Sequence, residues 1–315
     1  MISQEIKSAA LDIDGTLSDP KKIEPEYAHI VTGYLAYTLS MDYSETETKM
    51  AAALTTIHRD PGAHGWRFPV EGKRIIVAPP GDPYILYQEV AELLIRTLKS
   101  RAHEGRLTPA RISTIVGDSD QEMDQFLNEM YRKCSTQLKK IDAFFREGTF
   151  ELLTELNHKL KPENVSFVTN GGEQSAYERL ITLPLGTDVR DQIIGGARKF
   201  DVNRNWIEIA EPGPYMNYYF HHGGYARGVE LQRQFFHDKL LKVGHGSLDG
   251  MLILEDFFEF VALYHAHFDN VIIGLMVSSF TQEWEKDLFA SDDQRLWAIT
   301  SFNELLTRLQ SFPGE

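Results

Sequence analysis

Two aspartates separated by one isoleucine, Asp12-Ile13-Asp14, follow a short apolar run that starts near Ile6, and the chain then turns at Gly15-Thr16. Residues two apart in an extended strand point to the same side. If Ile6–Ile13 is a buried strand, Asp12 and Asp14 therefore converge on one point at its end. Two carboxylates beside a tight turn suit a divalent cation and, with it, phosphate chemistry. Asp-Gly also suits an ordinary strand-to-turn junction. An EF-hand calcium loop is excluded by spacing, because it needs its glycine at the sixth position and Gly15 comes third after Asp12.

The elements that would carry such residues are legible in the apolar pattern. Strands are expected at 6–13, 165–169, 192–195, 251–254 and 271–277, separated mostly by helical stretches. That alternation predicts an α/β fold with a parallel sheet covered on both faces, and in such sheets ligands bind at the carboxyl ends of the strands. The residues at those ends are Asp12 and Asp14, then Thr169-Asn170, then Glu255-Asp256. Taken singly, Thr-Asn-Gly reads as a turn and Glu-Asp as the acidic start of a helix. Together they place hydroxyl, amide and carboxylate groups along one edge.

Between Thr16 and about Ile141 the pattern is different. It predicts four helices: Glu24–Leu39 with Pro25 in its first turn, Ser44–His58 with Ser44 and Glu47 as a capping box, Tyr84–Lys99, and Ser119 or Asp120 through Leu138. Residues 59–83 are rich in glycine and proline and read as loops, with Arg74–Ala78 either a strand or a buried loop. Further helices are expected at Phe150–Leu160, Glu173–Leu180, Val229–Leu241, Asp256–Tyr264 and Phe302–Leu309, with a hairpin over Lys199–Ile209.

At 315 residues the chain is long enough for two lobes. Its 42% hydrophobic and 25% charged content is that of a globular protein. The formal charge of −14 argues against nucleic acid or an anionic membrane as the principal partner, while leaving room for a small phosphorylated substrate in a locally cationic cleft. No secretion signal is legible at the N-terminus, and the single cysteine, Cys134, fits a reducing, cytoplasmic setting. The histidines between His221 and His267 lack the spacing of a zinc site.

The stretch from Ala9 to Leu17, with its Asp-Ile-Asp-Gly-Thr core, resembles motif I of the haloacid dehalogenase superfamily of phosphohydrolases. Val165–Asn170, Val-Ser-Phe-Val-Thr-Asn, looks like motif II, and Leu252–Asp256, Leu-Ile-Leu-Glu-Asp, looks like motif IV. The motif III cation falls on Arg227, ahead of the helix expected before motif IV, or on its competitor Lys199; position favours Arg227 slightly. Glu259 lies where many relatives supply a further acid.

The resemblance implies a Rossmann-like, three-layer α/β/α core from residues 1–18 and 145–315, with a mainly helical cap domain inserted over 19–144. It implies a Mg2+-dependent phosphohydrolase acting on a small phosphorylated metabolite, with Asp12 as nucleophile and Asp14 as acid–base. Thr169, Asn170 and Arg227 or Lys199 would bind the phosphoryl group. Asp12, Asp14 (through its backbone carbonyl), Asp256 and Glu255 would hold the metal. Asp14 favours phosphate over halide leaving groups, since dehalogenating relatives lack that carboxylate. A phosphomutase uses the same residues. A non-catalytic relative that binds a phosphorylated ligand or a protein is the rival reading, kept open by the aromatic-rich stretch 206–225. The expected state is a monomer or homodimer.

Overall fold

The computed structural model describes residues 5–60, 63–70, 73–78, 80–100, 108–138, 144–186, 188–199, 207–208, 229–230, 234–277, 281 and 293–311. Its strands, in chain order, are β1 (Ser8–Leu11), β2 (Trp66–Val70), β3 (Lys73–Ala78), β4 (Val165–Val168), β5 (Ile193–Ile194), β6 (Ile207–Glu208), β7 (Val229–Glu230), β8 (Met251–Glu255), β9 (Ile272–Met276) and β10 (Leu296–Ile299). The helices are α1 (Pro20–Leu39), α2 (Tyr43–Arg59), α3 (Pro83–Ser100), α4 (Pro109–Val116), α5 (Asp120–Leu138), α6 (Thr149–Leu160), α7 (Glu173–Leu180), α8 (Gln234–Val243), α9 (Phe258–His267) and α10 (Phe302–Ser311).

Contacts divide the chain into two compact units: Met1–Pro20 with Arg67–Ala78 and Ala143–Glu315, and Lys21–Trp66 with Pro79–Asp142. The first unit holds a six-stranded sheet in the order β10-β9-β8-β1-β4-β5, every pair parallel. Strand β1 is central and lies between β4 and β8. Its residues and those of β4, β8 and β9 are buried on both faces, as a sheet covered by helices requires.

Alternation sorts the side chains into two layers. Ala9 and Leu11, Val165 and Phe167, Leu252 and Leu254, and Trp297 and Ile299 share a core with Leu152, Leu153 and Leu156 of α6 and Phe302, Leu305 and Leu309 of α10. Helices α8 and α9 pack on strands of the same sheet, α8 against β1 and β4, and α9 against β8 and β9. This is a three-layer α/β/α, Rossmann-like core.

The second unit is mainly helical. Helices α2, α4 and α5 each pack on α3, and Tyr27, Tyr84 and Tyr131 form edge-to-face pairs at 4.8 and 5.8 Å. Among the described residues no helix is long and apolar enough to cross a membrane.

Several expectations need correction. Pro25 lies inside α1, which begins five residues earlier at Pro20, rather than in a first turn. The cap of α2 is Asp42, whose carboxylate accepts from the Ser44 and Glu45 N–H groups at 2.9 and 3.3 Å, so Ser44 is already helical. The reciprocal capping box instead opens α5: Ser119 Oγ accepts from Glu122 N, and Glu122 accepts from Ser119 N. Val229–Leu241 is not one helix, because Val229–Glu230 pairs antiparallel with Ile207–Glu208 and α8 starts only at Gln234. Arg74–Ala78 falls within β3, a strand rather than a buried loop, while β2, α4 and β10 lie where the sequence pattern predicts no element. The turn expected at Asn203-Arg204-Asn205 lies outside the described residues.

Candidate active site

The register brings the chemistry-bearing residues to one edge. Leu11 pairs with Phe167 on one side and Leu254 on the other, so Asp12 stands level with Val168 and Glu255, and Thr169 and Asp256 come one step beyond. Asp12 N–H still donates to Leu254 O at 2.9 Å, which continues the ladder and fixes the direction of the Asp12 side chain. The alternation that sends Leu11 toward α6 sends Asp12 to the opposite face.

After Asp12 the chain makes one tight turn, closed by Ser18 N–H donating to Ile13 O at 2.9 Å. Gly15 sits in it with φ +83°. A Cβ on Gly15 would lie 1.9 Å from Asp256 Oδ2, so only glycine lets the turn pass with that carboxylate where it stands. Arg146 fastens the turn from near the start of the unit's third chain segment. Its Nε donates to Thr16 O at 2.8 Å and its Nη2 to Gly15 O at 2.7 Å.

Among the described residues, the cation nearest Asp12 is Lys199. Its Nζ lies 2.6 Å from Asp12 Oδ1 and 2.5 Å from Glu255 Oε1, with the side chain 1% exposed. The segment that delivers it is docked on the loop after β4. Gly196 N–H donates to Gly171 O at 2.9 Å, Ala197 N–H to Thr169 O at 3.0 Å, and Lys199 N–H to Asn170 Oδ1 at 2.7 Å. Gly195 permits the approach, since a Cβ there would lie 2.7 Å from Glu173 N and 2.9 Å from Gly171 O. Phe236 of α8 and Phe260 of α9 cover the ammonium, with ring centroids 5.3 and 5.8 Å away.

Of the two candidates for the motif III position, only Lys199 lies within the described residues. Arg227 lies outside the described residues, and Lys199 occupies the position beside Asp12. The loop after β5 folds back over the end of β4 and so carries Lys199 to Asp12. The Glu259 side chain and the aromatics of 206–225 also lie outside the described residues, apart from the backbone of Ile207–Glu208.

Asp12, Glu255 and Asp256 each present an oxygen within 4.8 Å of the others. Among the described residues, the three carboxyl groups outnumber the one ammonium, Lys199, that contacts two of them. Burial pushes the Asp12 carboxyl up, against the opposing pull of Lys199, and the charge of Asp14 adds to the rise. Burial likewise pushes Glu255 up to about 8, again against Lys199 and with Asp12 adding to the rise. For Lys199 burial acts to lower the ammonium, and Asp12 and Glu255 outweigh it, so it is held above its ordinary range. One cation serves two buried carboxylates, and the second carries the strain.

Thr169 is buried, and its hydroxyl oxygen accepts from Gly171 N–H at 3.1 Å, which leaves the hydroxyl proton to donate elsewhere. Asp14 is engaged by a residue that sequence reasoning missed: Arg179 Nη1 donates to Asp14 Oδ1 at 2.5 Å. Neither Arg146 nor Arg179 carries a local signal, since each reaches the turn from a distant segment, 130 and 165 residues away.

No family model matches the chain, and no curated protein matches it. Among solved structures it is similar to a phosphoserine phosphohydrolase-like protein from Francisella tularensis, at 14% identity and TM-score 0.40 over 96% of this chain and 99% of that one. It is also similar to a putative HAD-hydrolase from Bacillus subtilis bound to magnesium, at 12% identity and TM-score 0.44 over 97% and 99%. A defluorinating L-2-haloacid dehalogenase matches at 12% identity and TM-score 0.44 over 98% of each chain.

A divalent metal fits the acidic group by its chemistry. The donors are all carboxylate oxygens, which suit a hard cation, and the buried Oε2 of Glu255 has no hydrogen-bond partner. Such an ion would hold these carboxyl groups in their ionised form against the burial that pushes them up.

Proposed function

We propose that the protein is a Mg2+-dependent phosphohydrolase that turns over a small phosphorylated metabolite through an aspartyl-phosphate on Asp12. The observation that carries the reading is the pairing of buried Asp12 with Lys199 at the end of the central strand, with Glu255 and Asp256 within 4.8 Å. A buried carboxylate held in one orientation by a cation is a positioned nucleophile, and the same cation offsets the charge of an incoming phosphate.

In this reading an Asp12 oxygen attacks phosphorus in line, and the bond from phosphorus to the ester oxygen breaks. Asp14, having taken a proton from solvent as its pairing with Arg179 loosens, gives that proton to the departing oxygen. Water then attacks the aspartyl-phosphate, Asp14 takes the proton from the water, and the Asp12 carboxylate is restored as phosphate leaves. Thr169 donates its hydroxyl proton to a phosphoryl oxygen. Asn170 contributes its amide N–H groups while its Oδ1 holds the Lys199 backbone. Lys199, rather than Arg227, is assigned the phosphate-binding cation. Asp12, Asp256, Glu255 and the Asp14 carbonyl would hold Mg2+, which when bound neutralises the repulsion between carboxylate and phosphate dianion. Positioning and charge neutralisation then account for most of the rate.

The test is hydrolysis of p-nitrophenyl phosphate with and without MgCl2 by wild type and by Asp12→Asn. The expected outcome is metal-dependent turnover that the substitution abolishes. No turnover across a broad panel of phosphate esters, with phosphate analogues still bound, would instead favour a non-catalytic phosphate-binding protein.

A further inference from the structure

The carboxylate assigned to acid–base work is already engaged in the free protein. Arg179, near the end of α7, places Nη1 at 2.5 Å from Asp14 Oδ1, and the two side chains are 12% and 28% exposed. The guanidinium is therefore largely enclosed but sits against the more open of the two partners. In the reaction proposed above, Asp14 works on the oxygen of the leaving group. A donor hydrogen-bonded to Asp14 then lies within about two hydrogen-bond lengths of that oxygen, near the atoms the leaving group carries next to it.

An arginine at that place has consequences for what binds. Its planar fork matches carboxylate and phosphate oxygens, and it keeps its charge at any working pH. For Asp14 to reach the ester oxygen, its bond to Arg179 must loosen. A neutral leaving group supplies no anion to take the place of Asp14 at Nη1, so that contact weakens with no anion in exchange. A leaving group that carries its own anion close to the ester oxygen offers a substitute partner. The exchange keeps one ion pair at Arg179 and releases Asp14 in the same movement.

We infer that Arg179 is a specificity-determining residue that selects phosphate monoesters whose leaving group bears a second anionic group, a carboxylate or a further phosphate. The inference rests on the phosphohydrolase reading and on Asp14 acting at the leaving group.

The experiment compares kcat/KM within matched substrate pairs at saturating MgCl2. One pair is 3-phosphoglycerate against glycerol 3-phosphate, which adds a carboxylate. The other is 1,3-propanediol bisphosphate against 3-hydroxypropyl phosphate, which adds a phosphate. Wild type is expected to favour the anionic member of at least one pair by roughly 10–100-fold, the worth of one charge-assisted hydrogen bond. The pair that shows the preference identifies the anion. Arg179→Gln should bring that ratio to within about threefold of unity, and Arg179→Lys, which keeps the charge but not the fork, should retain part of it. Arg179→Lys carries the test alone if the glutamine variant does not fold.

A wild-type ratio near one in both pairs, or a ratio that survives Arg179→Gln, overturns the inference. So does a uniform fall on every substrate, which would make Arg179 only a latch for Asp14. If these results came with normal Mg2+-dependent turnover of p-nitrophenyl phosphate, the phosphohydrolase reading would stand and only the role of Arg179 would fall. Absence of turnover on every ester would remove both.

Discussion

Replacing Gly15 by alanine separates the fold from the proposed metal group more cleanly than any change to the carboxylates themselves. The added Cβ would lie 1.9 Å from Asp256 Oδ2 and 2.8 Å from its Cγ, whereas ordinary van der Waals contact begins at 3.4 Å. The Asp256 carboxylate must therefore retreat by about 1.5 Å, and as the end of a side chain it is able to do so. The backbone must also hold an alanine at φ +83°, which costs about 1–2 kcal/mol. That is a shift of only a few degrees in the melting temperature. Function should suffer far more. A ligand displaced by over an ångström typically costs about 100-fold in turnover, and a disturbed metal shell about 10–100-fold in metal affinity. Titrating p-nitrophenyl phosphate hydrolysis with MgCl2, beside a thermal melt, measures both. A Gly15→Ala protein with wild-type turnover and wild-type Mg2+ response would refute the placement of Asp256 in the site.

Lys199→Met removes the one ammonium between Asp12 and Glu255 and leaves two buried carboxylates facing each other. Breaking a buried pair in this way costs about 3–5 kcal/mol, so urea unfolding should show a loss of that order, with turnover reduced at least about 100-fold; a loss under about 1 kcal/mol would contradict the pairing. Stability of the metal-free protein should fall as pH rises. The Glu255 carboxyl is pushed up to about 8 in the folded chain and has an ordinary value near 4.5 when unfolded, so the folded state binds the extra proton between those values. Its contribution is complete below about pH 4.5 and is lost as pH rises through about 8, at up to about 1.4 kcal/mol per pH unit; the raised Asp12 carboxyl acts with the same sign. Urea melts in EDTA at several pH values should show this slope, and Glu255→Gln should flatten it. A slope of the opposite sign sinks the account of the buried cluster.

The parts of the site that could be read from sequence are those whose neighbours in the chain already describe their surroundings. Asp12, Thr169 and Glu255-Asp256 each follow an apolar run of strand length. The parallel arrangement then dictates that strand ends share an edge, which is where the structure puts them. Helix α7 has the expected bounds, and α6 and α10 lie within one or two residues of theirs. What escaped depends on contacts between distant segments. The place of Lys199 is not legible in the sequence, because a glycine-rich loop after a two-residue strand has no periodicity to reveal that it folds back onto Asn170. Arg146 and Arg179 look like ordinary helix-flanking charges until the turn at Gly15 is brought beside them. Strand β10 was missed because four residues with Trp297 among them, Leu-Trp-Ala-Ile, are too short to declare a strand against the polar stretch before them.

The central claim is that phosphorus becomes bonded to Asp12, and it is tested most directly by trapping that bond. Borohydride added during turnover reduces an acyl phosphate to the alcohol, so an aspartyl-phosphate is read out as homoserine by peptide mass spectrometry. The account predicts homoserine at position 12, dependent on both substrate and Mg2+. Steady turnover with position 12 unmodified, or with the label on Asp14, Glu255 or Asp256 instead, would contradict it.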